Sequence, residues 1–254
     1  MSISNEAAWE KARTYIDDLI EAARRRESPE AFTALGLDPH LSNCLEWLHK
    51  LEQAPKPAVL IATYGHDIDR ALVNRVRRDN YTDQDRYKSA HAEHSAHVLC
   101  SHLAKIDADP NLTADVKFLV RNHDTPYEWV GRTPESTLGL ILVKSADGLS
   151  FFDKVFDMYV EQVGDLENVV GKMNLMYAKM CGRTFEEMRA NVPRRLSSGI
   201  QPEVKSRVEE IQRHAEEMVE DYYERAVRKV NEASKKYDPR RDTQIIDLGD
   251  ITSS

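Results

Sequence analysis

The feature that most restricts the fold is a recurrence of apolar residues three and four positions apart through nearly all of the 254-residue chain. That period marks one face of an α-helix and suits no strand. The ten glycines stand singly rather than in the clusters that turn one strand into the next, so the pattern predicts an all-α fold. A first helix covers about residues 5–26, with Trp9, Ala12, Ile16, Leu19, Ile20 and Ala23 on one face. Ser28 and Pro29 start a second as cap and first-turn proline. Leu37-Asp38-Pro39-His40 opens a third, striped by Leu41, Cys44, Leu45 and Leu48 and ended by Pro55 and Pro57.

From residue 58 to about 76 an apolar opening, Ala58-Val59-Leu60-Ile61-Ala62, runs into Tyr64-Gly65-His66-Asp67-Ile68-Asp69-Arg70. This predicts one buried helix that carries polar groups inward. A loop over 77–84 precedes a helix over 85–106, closed by Asp109-Pro110; Leu112-Thr113-Ala114-Asp115 caps the next, and Thr125-Pro126 stops it. The loop over 126–134 holds Tyr127, Trp129 and Arg132, a mixture suited to the mouth of a pocket. A long helix follows over 136–163. Beyond Gly164 only His214 remains of the histidines, and 201–236 reads as an amphipathic packing helix around Val208, Ile211, Ala215, Met218, Tyr222 and Val227. The expected organisation is an N-terminal helical extension (1–36), a core (37–163), C-terminal packing helices (164–237) and a loosely held tail (238–254), together one domain.

Thirty-five Lys and Arg against 43 Asp and Glu leave a net charge of −8, and 41% of residues are hydrophobic. That much apolar material excludes a disordered chain, and the acidic balance argues against nucleic acid as a partner. Arg75, Arg77, Arg78 and Arg86 read as a solvated basic stretch. No run nears the roughly 18 apolar residues of a membrane span, and the first ten residues lack a leader's basic and apolar parts. The expectation is a soluble cytoplasmic protein. Cys44, Cys100 and Cys181 are unpaired in spacing and read as small buried apolar groups in a reducing compartment.

Chemistry concentrates in one stretch: eight of nine histidines lie between residues 40 and 123. Helical bundles build metal sites from inward-facing imidazoles and carboxylates on neighbouring helices. The candidates are His40, His66 with Asp67, His91 or His94, His123 and Asp147. Asp67 is the natural bridge between two ions, since a carboxylate has two oxygens to share. His49, His97, His102 and His214 read as surface or packing residues, and Asp69 and Asp124 as supporting carboxylates behind the ligands.

Order and spacing here resemble the HD-domain superfamily. The matching pieces are Pro39-His40-Leu41-Ser42, Gly65-His66-Asp67-Ile68-Asp69-Arg70, His91-Ala92-Glu93-His94-Ser95, Leu119-Val120-Arg121-Asn122-His123 and Ser145-Ala146-Asp147-Gly148, within about residues 37–155. The resemblance implies an HD-domain-like helical bundle with added N- and C-terminal helices. It also implies metal ligation by His40, His66, Asp67 and Asp147, with His91 and His123 typical of members that hold two ions. The usual His-Asp-Ile-Gly-Lys string departs here to His66-Asp67-Ile68-Asp69-Arg70: arginine replaces lysine, and Asp69 adds an acid. The small residue four positions on favours His91, with Ser95, over His94, which is left to ligate instead or to bond substrate.

Cations flank these ligands: Arg70, Lys144, Arg121 and Lys88 all lie within two helical turns of one. Positive charge beside metal ligands in an acidic protein points to a small anionic, phosphorylated substrate. The leading expectation is metal-dependent hydrolysis of a phosphate ester, with Asp67, Arg70 and Lys144 as the catalytic set. Arg70, Lys88, Arg121, Lys144 and His94 would bind substrate. One or two divalent transition ions are expected, with iron or manganese ahead of zinc, cobalt and nickel. The rivals are a di-iron oxygenase that cleaves a C–C or C–P bond and a non-catalytic metal- or nucleotide-binding regulator. Homo-oligomerisation through the C-terminal helices stays open.

Overall fold

A computed structural model describes residues 2–163, 166–195 and 199–237, and among these there is helix and no strand. Helix α1 (Asn5–Arg26) starts at Ser4, whose side chain accepts from the Ala7 amide. Helix α2 (Pro29–Leu35) starts in the same way at Ser28 and ends at Gly36, which takes φ +64°, a left-handed conformation that glycine adopts without strain. Helix α3 (His40–Leu51) begins directly with a candidate ligand.

Helix α4 (Pro57–Gly65) is much shorter than the expected 58–76. After Gly65 the chain passes His66 and Asp67 into a 3₁₀ turn, Ile68–Ala71, in which the Arg70 amide donates to Asp67 O (3.1 Å) and the Leu72 amide to Asp69 O (3.0 Å). The cause is local competition for backbone partners. The Asp69 carboxylate accepts from the Val76 amide (3.1 and 3.2 Å) while the Asp69 amide donates to Ser95 Oγ (3.1 Å), and such side-chain bonds displace the α-helical ladder. A second 3₁₀ turn covers Arg78–Asn80.

Helix α5 (Gln84–Lys105) is capped by Asp83. Helix α6 (Pro110–Asn122) begins a turn-half earlier than expected, because Asp109 caps it from in front, accepting the Asn111 amide at 2.8 Å, instead of closing the helix before. Helix α7 (Pro134–Ser150) opens on a capping box of Thr133 and Ser136. The single helix expected over 136–163 is interrupted by a π-helical stretch, Phe151–Val155, and resumes as α8 (Phe156–Val163). Then come α9 (Leu166–Cys181), α10 (Phe185–Arg189) and α11 (Pro202–Tyr237).

Two helices form the centre. Helix α4 packs on α1, α3, α6 and α7, while α7 packs also on α3, α6, α9 and α11. Both are buried nearly all round, as an apolar helix without a polar face must be. The core runs without a break from Ala8 in α1 to Val219 in α11. Helix α11 buries Val208, Ile211 and Ala215 as its pattern predicts; the Tyr222 and Val227 side chains and the tail at 238–254 lie outside the described residues. Gly148 sets the distance between α7 and α9: a Cβ there would come within 2.2 Å of Met180 Sδ. None of the described helices is long and apolar enough to cross a membrane.

The loop after α6 is not the mouth its composition suggests. Trp129 is fully buried and its indole donates to Lys179 O at 3.1 Å. Lys144, also fully buried, donates to the carbonyls of Thr125 and Glu128.

Candidate metal centre

Six side chains from five segments meet between α4 and α7: His40 at the start of α3, His66 just past α4, Asp67 beside it, His91 in α5, His123 just past α6 and Asp147 in the last turn of α7. All are buried. Position at a helix end explains two of the rings. The last carbonyls of a helix lack an intrahelical partner; accordingly His66 Nδ1 donates to Thr63 O (2.9 Å) and His123 Nδ1 to Val120 O (2.7 Å).

The other two are fixed by side chains. His91 Nδ1 donates to Asp69 Oδ2 at 3.0 Å. His40 Nδ1 donates to Ser150 Oγ at 3.0 Å, since that hydroxyl spends its own proton on His40 O at 3.2 Å. With every Nδ1 acting as donor, each neutral ring presents a bare Nε2 to the centre. His40 Nε2 and His66 Nε2 then face one another at 3.2 Å. Two lone pairs that close repel unless a cation or a proton lies between them.

Asp67 divides the centre. Its Oδ2 lies 3.8 Å from His40 Nε2 and 3.7 Å from His66 Nε2, while Asp147 Oδ1 is 3.3 and 3.7 Å from the same two nitrogens. Ligands bound at about 2.0–2.2 Å to one ion stand roughly 3–3.6 Å apart, so these four atoms fit a single ion after small adjustments. The other oxygen, Oδ1, lies 2.7 Å from His91 Nε2 and 3.8 Å from His123 Nε2. That is a second, smaller donor set on the same carboxylate. The residues therefore fit one divalent ion and offer a start for a second: ligand atoms lie within 4.8 Å of one another in His40, Cys44, His66 and Asp147, in His66, Asp67 and His123, and in His123, Asp124 and Asp147, while His91 joins through its short contact with Asp67.

Electrostatics without an ion point the same way. Burial opposes ionisation of Asp67 and Asp147, but Arg70 and His66 beside the first and Lys179 and His66 beside the second hold both well below the usual carboxylate range. Burial likewise opposes a charge on His40 and His91. The Cys44 thiol and Asp147 lift His40 to about 10, and hydrogen bonds with Asp67 and Asp69 lift His91 to about 9. Burial lowers His66, and drives His123 down to about 3. A protein free of metal thus draws protons onto two of the four rings, where a metal's charge would otherwise sit.

Lys179, on α9, is a central residue that the sequence reading missed. It is 0% exposed, pairs with Asp147 Oδ2, and reaches Asp124 Oδ1 at 3.1 Å. Occupying Oδ2 leaves Asp147 a single oxygen for the centre. Asp69 and Asp124 stand behind the ligands, and Asp69 collects His94 Nδ1 as well as His91 Nδ1. Of the two candidates on α5, His91 is the one that faces Asp67. Cys44 and Cys181 are buried, Cys100 only partly, and Cys44 Sγ lies 3.7–3.8 Å from the His40 ring nitrogens.

A cleft of about 230 Å³ opens onto the centre, lined by His40, Asp67, Asp124 and Asp147 on its floor and by Leu35, Phe151 and Met176 among its apolar walls. Among the described residues two cations line it, Arg70 and Lys172. Arg70 donates to Asp67 Oδ2 at 2.9 Å and to Leu35 O at 3.4 Å. The other expected substrate cations lie elsewhere. Lys144 is spent on the carbonyls of the α6–α7 loop, Arg121 pairs with Glu93 at the surface, and Lys88 is not part of the cleft wall. His49, His97 and His214 are exposed, and His102 stacks on Tyr15 with ring centres 4.0 Å apart. Comparison of the chain with protein-family models, curated proteins and solved structures found no match.

Proposed function

We propose that this chain is a metal-dependent hydrolase of phosphate esters, an HD-type phosphohydrolase whose helical bundle holds two divalent ions. The observation that carries the reading is Asp67, which turns one oxygen to His40 and His66 and the other to His91 and His123. His40, His66, Asp67 and Asp147 would hold one ion, and His91, His123 and Asp67 the other, with manganese or iron ahead of zinc, cobalt and nickel. When bound, such ions make water nucleophilic near neutral pH and offset charge on a phosphoryl group.

The chain's own residues supply the rest. Arg70 lines the approach and offsets negative charge on the phosphoryl group, without the Lys144 first expected beside it. Asp69, Ser150 and the Thr63 and Val120 carbonyls hold the four rings in one tautomer, so the donor atoms need no rearrangement. Lys179 keeps Asp147 ionised and aimed.

The complete set of four histidines around a shared carboxylate also favours a second reading, a di-iron oxygenase. One experiment separates the two. Protein loaded anaerobically with manganese, iron or zinc, or left without metal, is assayed for phosphate release from sugar phosphates, nucleotides and short alkyl phosphates, with His66→Ala and Asp67→Ala as controls. Metal-dependent, oxygen-independent release that both controls abolish is the expected result. Substrate loss only with iron and oxygen would replace the hydrolase reading with the oxygenase.

A further inference from the structure

We infer that Lys172 recognises a second acidic group on the substrate, so that the compounds this cleft takes are small phosphomonoesters bearing a carboxylate or similar anion away from the ester. The inference rests on the hydrolase reading for the phosphoryl group and on separate observations for the rest. Of the cations near the centre, Lys179 is fully buried beneath Asp147 and Asp124, and Arg70 is tied to Asp67 and Leu35. Lys172 differs from both. It lines the cleft, its ammonium stands 5.8 Å from the centre of the Phe151 ring, and it makes no ion pair among the described residues. The carboxylate that pulls on it most strongly, that of Asp124, already holds Lys179.

Charge balance gives the same answer. Asp67, Asp69, Asp124 and Asp147 match the charge of two divalent ions, which leaves Arg70, Lys172 and Lys179 in excess. A phosphomonoester dianion answers two of these positive charges and leaves one. Size and wall chemistry restrict what joins the two anionic ends. The volume of about 230 Å³ falls below the roughly 300–1,000 Å³ usual for ligand pockets, so a nucleotide is disfavoured and a short carbon spacer suits the apolar wall of Leu35, Phe151 and Met176.

Two inert phosphonates test this by calorimetry on the metal-loaded full chain: phosphonopropionate, which carries the extra carboxylate, and propylphosphonate, which lacks it. Wild type is expected to bind the first about tenfold tighter, in keeping with about 1.4 kcal/mol for one charged contact. Lys172→Gln should reduce that preference to near unity while leaving propylphosphonate affinity unchanged, and Lys172→Arg should retain it. A wild type that binds neither, or that shows no preference, overturns the inference, as does a preference that survives in Lys172→Gln. Turnover of phosphoglycolate and ethyl phosphate separates this from the parent reading. Hydrolysis of both esters with the same kcat/KM ratio in wild type and Lys172→Gln sinks the Lys172 assignment alone. A Lys172-dependent binding preference without any hydrolysis sinks the hydrolase and leaves the recognition site standing.

Discussion

The two sides of Asp67 are built on different plans. Toward Oδ2 lie two imidazoles and a second carboxylate, Asp147, itself backed by a buried lysine. Toward Oδ1 lie two imidazoles whose carboxylates are already engaged: Asp69 stands behind His91, and Asp124 and Asp147, which come within 4.8 Å of His123, are both held by Lys179. Two negative ligands hold a divalent ion better than one, so the Oδ2 side should fill first and more tightly. The Oδ1 side depends on Asp69 to make His91 a stronger donor. A centre of this kind can be half loaded, and which half is filled is decided by groups that touch no metal.

Removing the shared ligand should erase the difference altogether: Asp67→Ala is expected to bind no ion at either position by elemental analysis and to fall to background in any metal-dependent assay. Next in size is Lys179→Met, which leaves Asp147 and Asp124 buried without their cation. Loss of about 3–5 kcal/mol from the metal-free protein is expected, read from denaturant unfolding, with part of it regained on adding metal, because an ion then compensates Asp147. If metal restores nothing, Lys179 does not serve the Oδ2 side. Asp69→Asn should act on the opposite side only, weakening the second binding event about 10–100-fold in a titration and leaving the first in place; equal weakening of both events would abolish the distinction. The smallest effect is one of pH. Burial lowers the Lys172 ammonium to about 8, against the pull of Asp124. Its positive charge is therefore present below that pH and lost above it, so phosphonopropionate affinity should decline as pH rises through about 8, several-fold more in wild type than in Lys172→Gln.

His66, Asp67 and Asp147 were legible because each breaks an apolar rhythm. A histidine and aspartate after Ala58-Val59-Leu60-Ile61-Ala62, or an aspartate after Leu140-Ile141-Leu142-Val143, would bury polar groups that demand partners. The same logic was available for Lys179, the one charged residue in Met176-Tyr177-Ala178-Lys179-Met180-Cys181, and for Lys172 two helical turns before it. It was less decisive there, since Lys144 has the same setting on α7 and turns to loop carbonyls instead. Sequence spacing along one helix does not say which neighbouring helix will receive a side chain. The helix break after Gly65 was hidden for a related reason: the partners that compete for Asp69 are Ser95 and Val76, and only the fold brings Ser95 within reach. Asp109-Pro110 carries a stop and a start signal at once, and the cap bond to Asn111 decides for the start.

The α6–α7 loop is pinned at both shoulders, by the Lys144 ammonium and by the Trp129 indole. Traffic into and out of the cleft cannot easily pass on that flank. Another part of the rim is α2, seven residues with no buried side chain, whose end with its cap supplies Ala34, Leu35 and Gly36 to the cleft. Segments so lightly anchored open at the least free-energy cost. Exchange between the cleft and solvent should therefore depend most on that short helix, far along the chain from every histidine but the first.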